Sequence, residues 1–432
     1  MRYLKNKFIK STIILLIGSG ITKILGMLIK IITTRLVGSE GIGLYMLIMP
    51  TFSLFITLAS LGLPISISKL VSDDKHNNKK LILSLIPLII IFNFILMIVI
   101  FLIAPTLSNK LLQDNRTYLP ILSIGLVIPF ISISSILRGY FFGKEKMFPH
   151  TISNIIEQLV RLGILILITP KLLVYGIHIA VSFIVLVNIV SEITSILVLT
   201  YFLPKKIKLT KEYFKPEKEE IKEVLDISIP TVGSRLLGNF AYFLEPIILT
   251  FVLLNVGYTN EYILTNYGIL TGYVIPLLLI PTFFTSAISQ AMLPVVSNNY
   301  AKKNLITVKK VLRKAIGISL LIGIGINFCL FINPSFFLKL IFNTTLGANE
   351  IKLLTPFFLL LYIQAPLITT LHAINKAKFA CISTFIGISI KLLLIFSLSY
   401  LKIGVYPLLI GNIFSIFITT ILDYIVVKKQ LS

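Results

Sequence analysis

Charged side chains lying inside long apolar runs are the residues of this sequence best placed to do chemistry. Ser19, Lys23, Gly26, Lys30 and Thr34 follow one another at intervals of three or four. In a helix of 3.6 residues per turn that interval puts them on one face. A charge at the centre of a membrane-spanning helix costs about 2.5–3.5 kcal/mol on insertion scales. Two lysines on one stripe, with no acid in the same run, must therefore face another helix or water. Thr231, Arg235, Asn239 and Tyr242 repeat the pattern in a later run, with Glu245 nearer the edge of the same face. Ser53, Thr57, Ser60 and Pro64 make a third polar face, and Thr282, Thr285, Ser286, Ser289 and Gln290 a fourth. A cavity lined by these faces would suit an anion, with Lys23, Lys30, Arg235 and Asn239 as its candidate binding residues. Small and hydroxyl-bearing residues also serve where helices pack together, so the serines and threonines carry both readings.

Glu157 and Arg161 stand four apart and can pair within one helix. They are candidates for the same site and equally for a structural pair. Glu192 and Lys391 stand alone in their runs, each open to a partner on another helix, and Asp423 is expected to be wet, near the end of the last run. Prolines within runs (Pro50, Pro64, Pro87, Pro129, Pro276, Pro281) are expected to bend helices. Enzyme signatures are missing. His76, His150, His178 and His372 are scattered, with no metal-type spacing and no nucleophile beside them. Gly38-Ser-Glu-Gly41-Ile-Gly43 follows no strand and is spaced unlike a dinucleotide loop, and no phosphate-binding GxxxxGK[ST] motif occurs. No catalytic residue, metal or cofactor is expected. Cys329 and Cys381 fall in apolar runs, so no disulfide framework is implied.

The elements that must position these residues are membrane spans. With 56% hydrophobic and 13% charged residues in 432, the chain is far more apolar than soluble domains, which carry about 25% charged residues. Twelve apolar segments of about membrane length lie near 11–32, 44–68, 82–104, 119–137, 150–168, 175–202, 227–253, 265–295, 315–332, 353–371, 380–401 and 404–427. The first is read as a retained span rather than a signal peptide, since it carries Lys23 and Lys30 and lacks a small-residue cleavage site. Of the 40 Lys and Arg residues, 28 fall in alternate segments counted from the N-terminus, 7 in the intervening loops, and five within spans. By the positive-inside rule this bias puts both termini in the cytoplasm. It also accounts for the net charge of +23 without any nucleic acid. The longest polar stretch, Pro204 to Asp226, divides the chain into residues 1–203 with six spans, a cytoplasmic linker at 204–226, and residues 227–432 with six more. The halves look alike. Thr22-Lys23-Ile24-Leu25-Gly26 recurs as Ser234-Arg235-Leu236-Leu237-Gly238, and Leu63-Pro64 with Val71-Ser72 recurs as Leu293-Pro294 with Val296-Ser297. Both halves start inside, so the repeat is parallel, the arrangement of transporters with a site between two lobes.

Ile21-Thr-Lys-Ile-Leu-Gly26 followed by Thr34-Arg-Leu-Val-Gly-Ser-Glu-Gly-Ile-Gly-Leu-Tyr45 resembles the start of the polysaccharide-export branch of the multidrug/oligosaccharidyl-lipid/polysaccharide (MOP) exporter superfamily. Leu137-Arg-Gly-Tyr-Phe-Phe-Gly143 with Ile156-Glu-Gln-Leu-Val-Arg161, and Tyr267-Gly-Ile-Leu-Thr-Gly-Tyr-Val-Ile-Pro-Leu-Leu-Leu-Ile-Pro281, resemble the stage V sporulation protein B group. The resemblance runs from the first span to the twelfth. It implies an all-α, two-lobed flippase fold and movement of an undecaprenyl-linked sugar or peptidoglycan precursor in the bacterial cell membrane, for this group in spore-cortex synthesis. Related flippases are similar in holding a pyrophosphate with basic residues of the first span and its repeat, a pattern that Lys23 and Arg235 match. Where many relatives show an arginine before Lys30, this chain has Ile29. Many relatives also show two further C-terminal spans. Two rival readings remain: a cation-coupled multidrug exporter of the same superfamily, which would use Glu157, Glu192 or Glu245, and a non-transporting membrane scaffold for cell-wall synthesis enzymes.

Overall fold

The computed structural model describes residues 2–73, 78–204 and 218–431, and among these every regular element is helical. That is the outcome dictated by a bilayer, where backbone N–H and C=O groups find no water and must bond within their own segment. The chain forms two compact units, Met1–Phe243 and Leu244–Ser432.

The first unit holds α1 (Arg2–Ser60), α2 (Leu63–Ser72), α3 (Asn78–Thr106), α4 (Tyr118–Gly143), α5 (Met147–Leu172), α6 (Ile177–Tyr201) and the first half of α7 (Lys218–Val256). α1 contains the first two expected spans, joined at Gly38, whose φ of 67° breaks the helical path. Only glycine adopts that conformation without a steric cost. The second expected span ends at the Leu61–Gly62 turn rather than at residue 68, with Pro64 in the first turn of α2. Pro50, Pro87 and Pro129 lie inside continuous helices. Leu63, Ile67, Leu81, Leu85, Ile136, Phe141, Leu199 and Val224 form a buried core drawn from α2, α3, α4, α6 and α7.

The second unit continues α7 and adds α8 (Asn260–Gly268), α9 (Ile275–Leu278), α10 (Ile280–Ala301), α11 (Leu305–Ile332), α12 (Pro334–Phe342), α13 (Ala348–Ala373), α14 (Ala377–Ser399) and α15 (Tyr406–Leu431). A π-helical stretch, Ile269–Val274, links α8 to α9. Pro276 and Pro281 sit in the first turns of α9 and α10, so the eighth expected span is interrupted where its prolines lack the N–H that a continuous helix needs. Thr259, Asn304 and Asn333 cap α8, α11 and α12 by accepting from backbone N–H groups. Met292, Val308, Leu371, Ala380 and Val427 mark the buried core.

Eleven helical stretches among the described residues are long and apolar enough to cross a membrane. One of them, Ile17–Ser72, contains the first two expected spans, which brings the tally to twelve. Leu102 and Leu321 are 73% and 74% exposed. A water-soluble protein rarely leaves so many large apolar groups outside, and here they form the lipid-facing belt of a multi-pass membrane protein.

Candidate functional site

Four side chains at the centre of the first unit form one ionic network. Arg138 on α4 donates from Nη2 to Glu157 Oε2 on α5 at 2.6 Å, to Glu192 Oε2 on α6 at 3.1 Å and to Ser195 Oγ at 3.2 Å. Arg161, one turn after Glu157, donates to Glu157 Oε1 at 3.0 Å. Both glutamates are 6% exposed and both arginines 20%. Two cations therefore balance two anions, and Glu157 takes an arginine on each oxygen. Buried ion pairs repay their desolvation only with such geometry. The sequence pairs Glu157 with Arg161 correctly but misses Arg138, because the fourth expected span stops at residue 137. α4 in fact continues to Gly143, and the apolar run on both sides of Arg138 was the available signal.

A cleft of about 280 Å³ opens between α1 and α5. Ser19, Thr22 and Lys23 line one wall, and His150, Thr151 and Asn154 the other. Thr22 donates to Gly18 O and is occupied. His150 Nε2 and Asn154 Nδ2 lie 3.3 Å apart, and the His150 ring rests 4.4 Å from that of Phe142. Lys23 is exposed at this cleft, and Lys30, two turns on, is half-buried. The Lys23 ammonium, the Ser19 and Thr151 hydroxyls and the Asn154 amide present hydrogen-bond donors at this cleft, with the His150 ring held beside Asn154. His150 and Asn154 were not legible as site residues, since nothing in the sequence places α5 beside α1.

Arg235 is exposed on α7. Asn239, one turn later, accepts from Ser53 Oγ at 3.1 Å and donates to Thr57 Oγ1 at 2.5 Å. The polar face of the second expected span is thus met by the seventh. Ser228 with Ser66, and Glu220 with Ser84, continue the same stitching of α7 within the first unit. The side chain of Thr231 lies outside the described residues.

In the second unit Lys391 of α14 pairs with Glu245 of α7 at 2.5 Å, and Tyr267 donates to the other Glu245 oxygen at 3.4 Å. The two residues that stood alone in the sequence, Glu192 and Lys391, therefore both have partners on other helices. The fourth polar face is quieter. Thr282, Thr285, Ser286 and Ser289 each donate to a carbonyl of the preceding turn. Asp423 is the correction. It is 1% exposed rather than wet, because α14 packs along this side of α15 and closes over it.

The sequence matches the family "Polysaccharide biosynthesis protein" over residues 8–300 and the MatE family over residues 239–397. It is 34% identical to stage V sporulation protein B of Bacillus subtilis (strain 168), over 99% of this chain and 85% of that one. It is 25% identical to the lipid II flippase MurJ of the same organism, over 90% and 77% of the two chains. In fold it is similar to an inward-facing multidrug resistance MATE family transporter of the MOP superfamily. The TM-score is 0.74 at 15% identity, covering 95% of this chain and 94% of that one.

Proposed function

Because the chain belongs to the polysaccharide biosynthesis protein family of the MOP superfamily, whose members are flippases and exporters rather than enzymes, we propose that its cargo is an undecaprenyl-pyrophosphate-linked sugar or peptidoglycan precursor, moved by alternating access during spore-cortex synthesis. The observation that carries this reading is the α1–α5 cleft, where Lys23 meets Ser19, His150 and Asn154. A diphosphate needs dispersed donors and positive charge, and this cleft offers both. Lys30, two turns along α1, and Arg235 on α7 are the further cations assigned to the cargo, while Asn239 holds α7 against Ser53 and Thr57. Glu157 and Arg161 serve the site indirectly, by fixing α5 through Arg138. An anion leaving a negative-inside cell gains about 2.3 kcal/mol per charge per 100 mV, so nucleotide hydrolysis is not required in principle.

A cation-coupled drug exporter is the weaker reading. Its acidic candidates, Glu157, Glu192 and Glu245, each already accept from an arginine or a lysine.

The test is purified protein in vesicles containing the lipid-linked precursor, with an external probe of leaflet. Wild type should translocate the lipid and Lys23→Ala should lose at least tenfold in rate at equal abundance. Equal rates would overturn the cationic-cleft mechanism. On the loop-charge bias, both termini lie in the cytoplasm. In a cysteine-free background, single cysteines at Ser39 and Tyr258 should then react with an impermeant thiol reagent applied outside, and one at Lys144 should not. The opposite labelling pattern would invert the topology.

A further inference from the structure

Among the described residues, Asp423 differs from the other buried acids of the membrane-spanning stretches in what surrounds it. Glu157 and Glu192 face arginines and Glu245 faces a lysine, whereas no salt bridge reaches Asp423 among the described residues. Its side chain lies in the seam between α14 and α15. There Oδ1 is 2.5 Å from Ser383 Oγ, and Oδ2 is buried with no hydrogen-bond partner. The seam is tight: a Cβ added to Gly387 would sit 2.2 Å from Thr419 Oγ1 and 3.1 Å from Ser415 O, so no solvent layer separates the helices at that level.

The charged and titratable groups on the elements packed against α15 do not fill the gap. α11 brings Lys309 and Arg313 to an exposed groove shared with Tyr424 and Lys428 of α15. α13 presents the Gln364 amide, which donates to Thr420 Oγ1 and Ile416 O. α14 presents Ser383, and its Lys391, two turns further along, is engaged by Glu245.

The hydroxyl geometry discriminates between the two forms of the acid. Ser383 Oγ lies near two acceptors, Asp423 Oδ1 and Ala380 O, the latter at 3.1 Å, but a serine hydroxyl has one proton to donate. If Asp423 is ionised, the hydroxyl serves the carboxylate, Ala380 O loses it, and Oδ2 remains an anionic oxygen buried without a donor. Such an uncompensated buried charge neutralises rather than persists. If Asp423 is protonated, it donates from Oδ1 to Ser383 Oγ, Ser383 donates to Ala380 O, and the orphan Oδ2 is a neutral carbonyl oxygen. Every proton then has an acceptor.

We propose that Asp423, with Ser383 as its acceptor, is a proton-binding site of the second unit, occupied while the α14–α15 seam is closed and emptied when the seam parts and water reaches the carboxyl. The sign follows directly: acid favours the closed seam and alkali favours its opening. A proton is the ligand that fits, because among the described residues Ser383 Oγ is the one oxygen bonded to the carboxyl and Oδ2 has none, too few for a metal cation.

Infrared difference spectroscopy on the full chain in lipid nanodiscs tests this without any transport substrate, so its failure and the failure of the flippase reading are distinguishable. Wild type at neutral pH should show a protonated-carboxyl stretch that disappears in Asp423→Asn. The same stretch should move to the higher frequency of an unbonded acid in Ser383→Ala. Asp423→Asn mimics the neutral acid and is expected at wild-type abundance. Should that variant not accumulate, the Ser383→Ala shift decides alone. Absence of a stretch sensitive to either change would overturn the proposal. So would its loss on adding sodium at constant pH, since that would identify a metal-cation site.

Discussion

Within their membrane-spanning stretches the two units handle buried charge differently. In the first, Arg138 gathers acids from two further helices, so α4, α5 and α6 are tied through one guanidinium. In the second, charge is handled in separate pieces: Lys391 with Glu245, and Asp423 with only a serine. A shared network makes each member depend on the rest, because removing one strands the others in a low-dielectric surround. Separate pieces leave each group able to change state alone. The first unit thus joins spanning helices through shared ionic contacts, while the second holds, in Asp423, the acid proposed above to gain and lose a proton.

Arg138→Ala leaves two glutamates without their common partner, a loss of about 3–5 kcal/mol for a buried pair broken on one side. Folded protein in the membrane should fall sharply, measured as detergent-resistant monomer and as a lowered unfolding temperature. Arg138→Lys should recover part of the loss, since a single nitrogen, Nη2, meets both carboxylates and an ammonium can replace it where its stem reaches. Unchanged abundance in Arg138→Ala would show that the network is not a joint.

A smaller effect is expected in the second unit. Lys391→Met leaves Glu245 with Tyr267 as its remaining donor and should lower the unfolding temperature. Adding Glu245→Gln should restore most of the loss, because replacing both partners of a buried pair is often near neutral. A double variant as unstable as the single would mean that packing of the lysine stem, rather than charge, holds α14 to α7.

The repeated Lys23 and Arg235 pentapeptides, the twelve apolar runs and the i, i+4 spacing of Glu157 and Arg161 were all readable without coordinates. Each is a property of one helix or of a periodicity along the chain. The bilayer makes that enough for the spans, since a sufficiently long apolar run must become a helix. Where a helix ends is less legible: Arg138 looked like loop because a charge at the edge of an apolar run resembles a boundary, yet its partners on α5 and α6 make it cheap to keep inside.

The all-helical membrane fold, the family and the stripe that carries Lys23 are therefore written in the order of residues along the chain. Tertiary structure decided which charges meet. Glu192 and Lys391 were isolated in one dimension and paired in three, His150 and Asn154 reached the Lys23 cleft only because α5 packs against α1, and Asp423 changed from a wet residue to a buried one because Gly387 lets α14 close on α15. The physical reason is common to all of them. The energy of a charge inside a membrane depends on what lies within a few ångströms, and those neighbours come from helices far away in the chain.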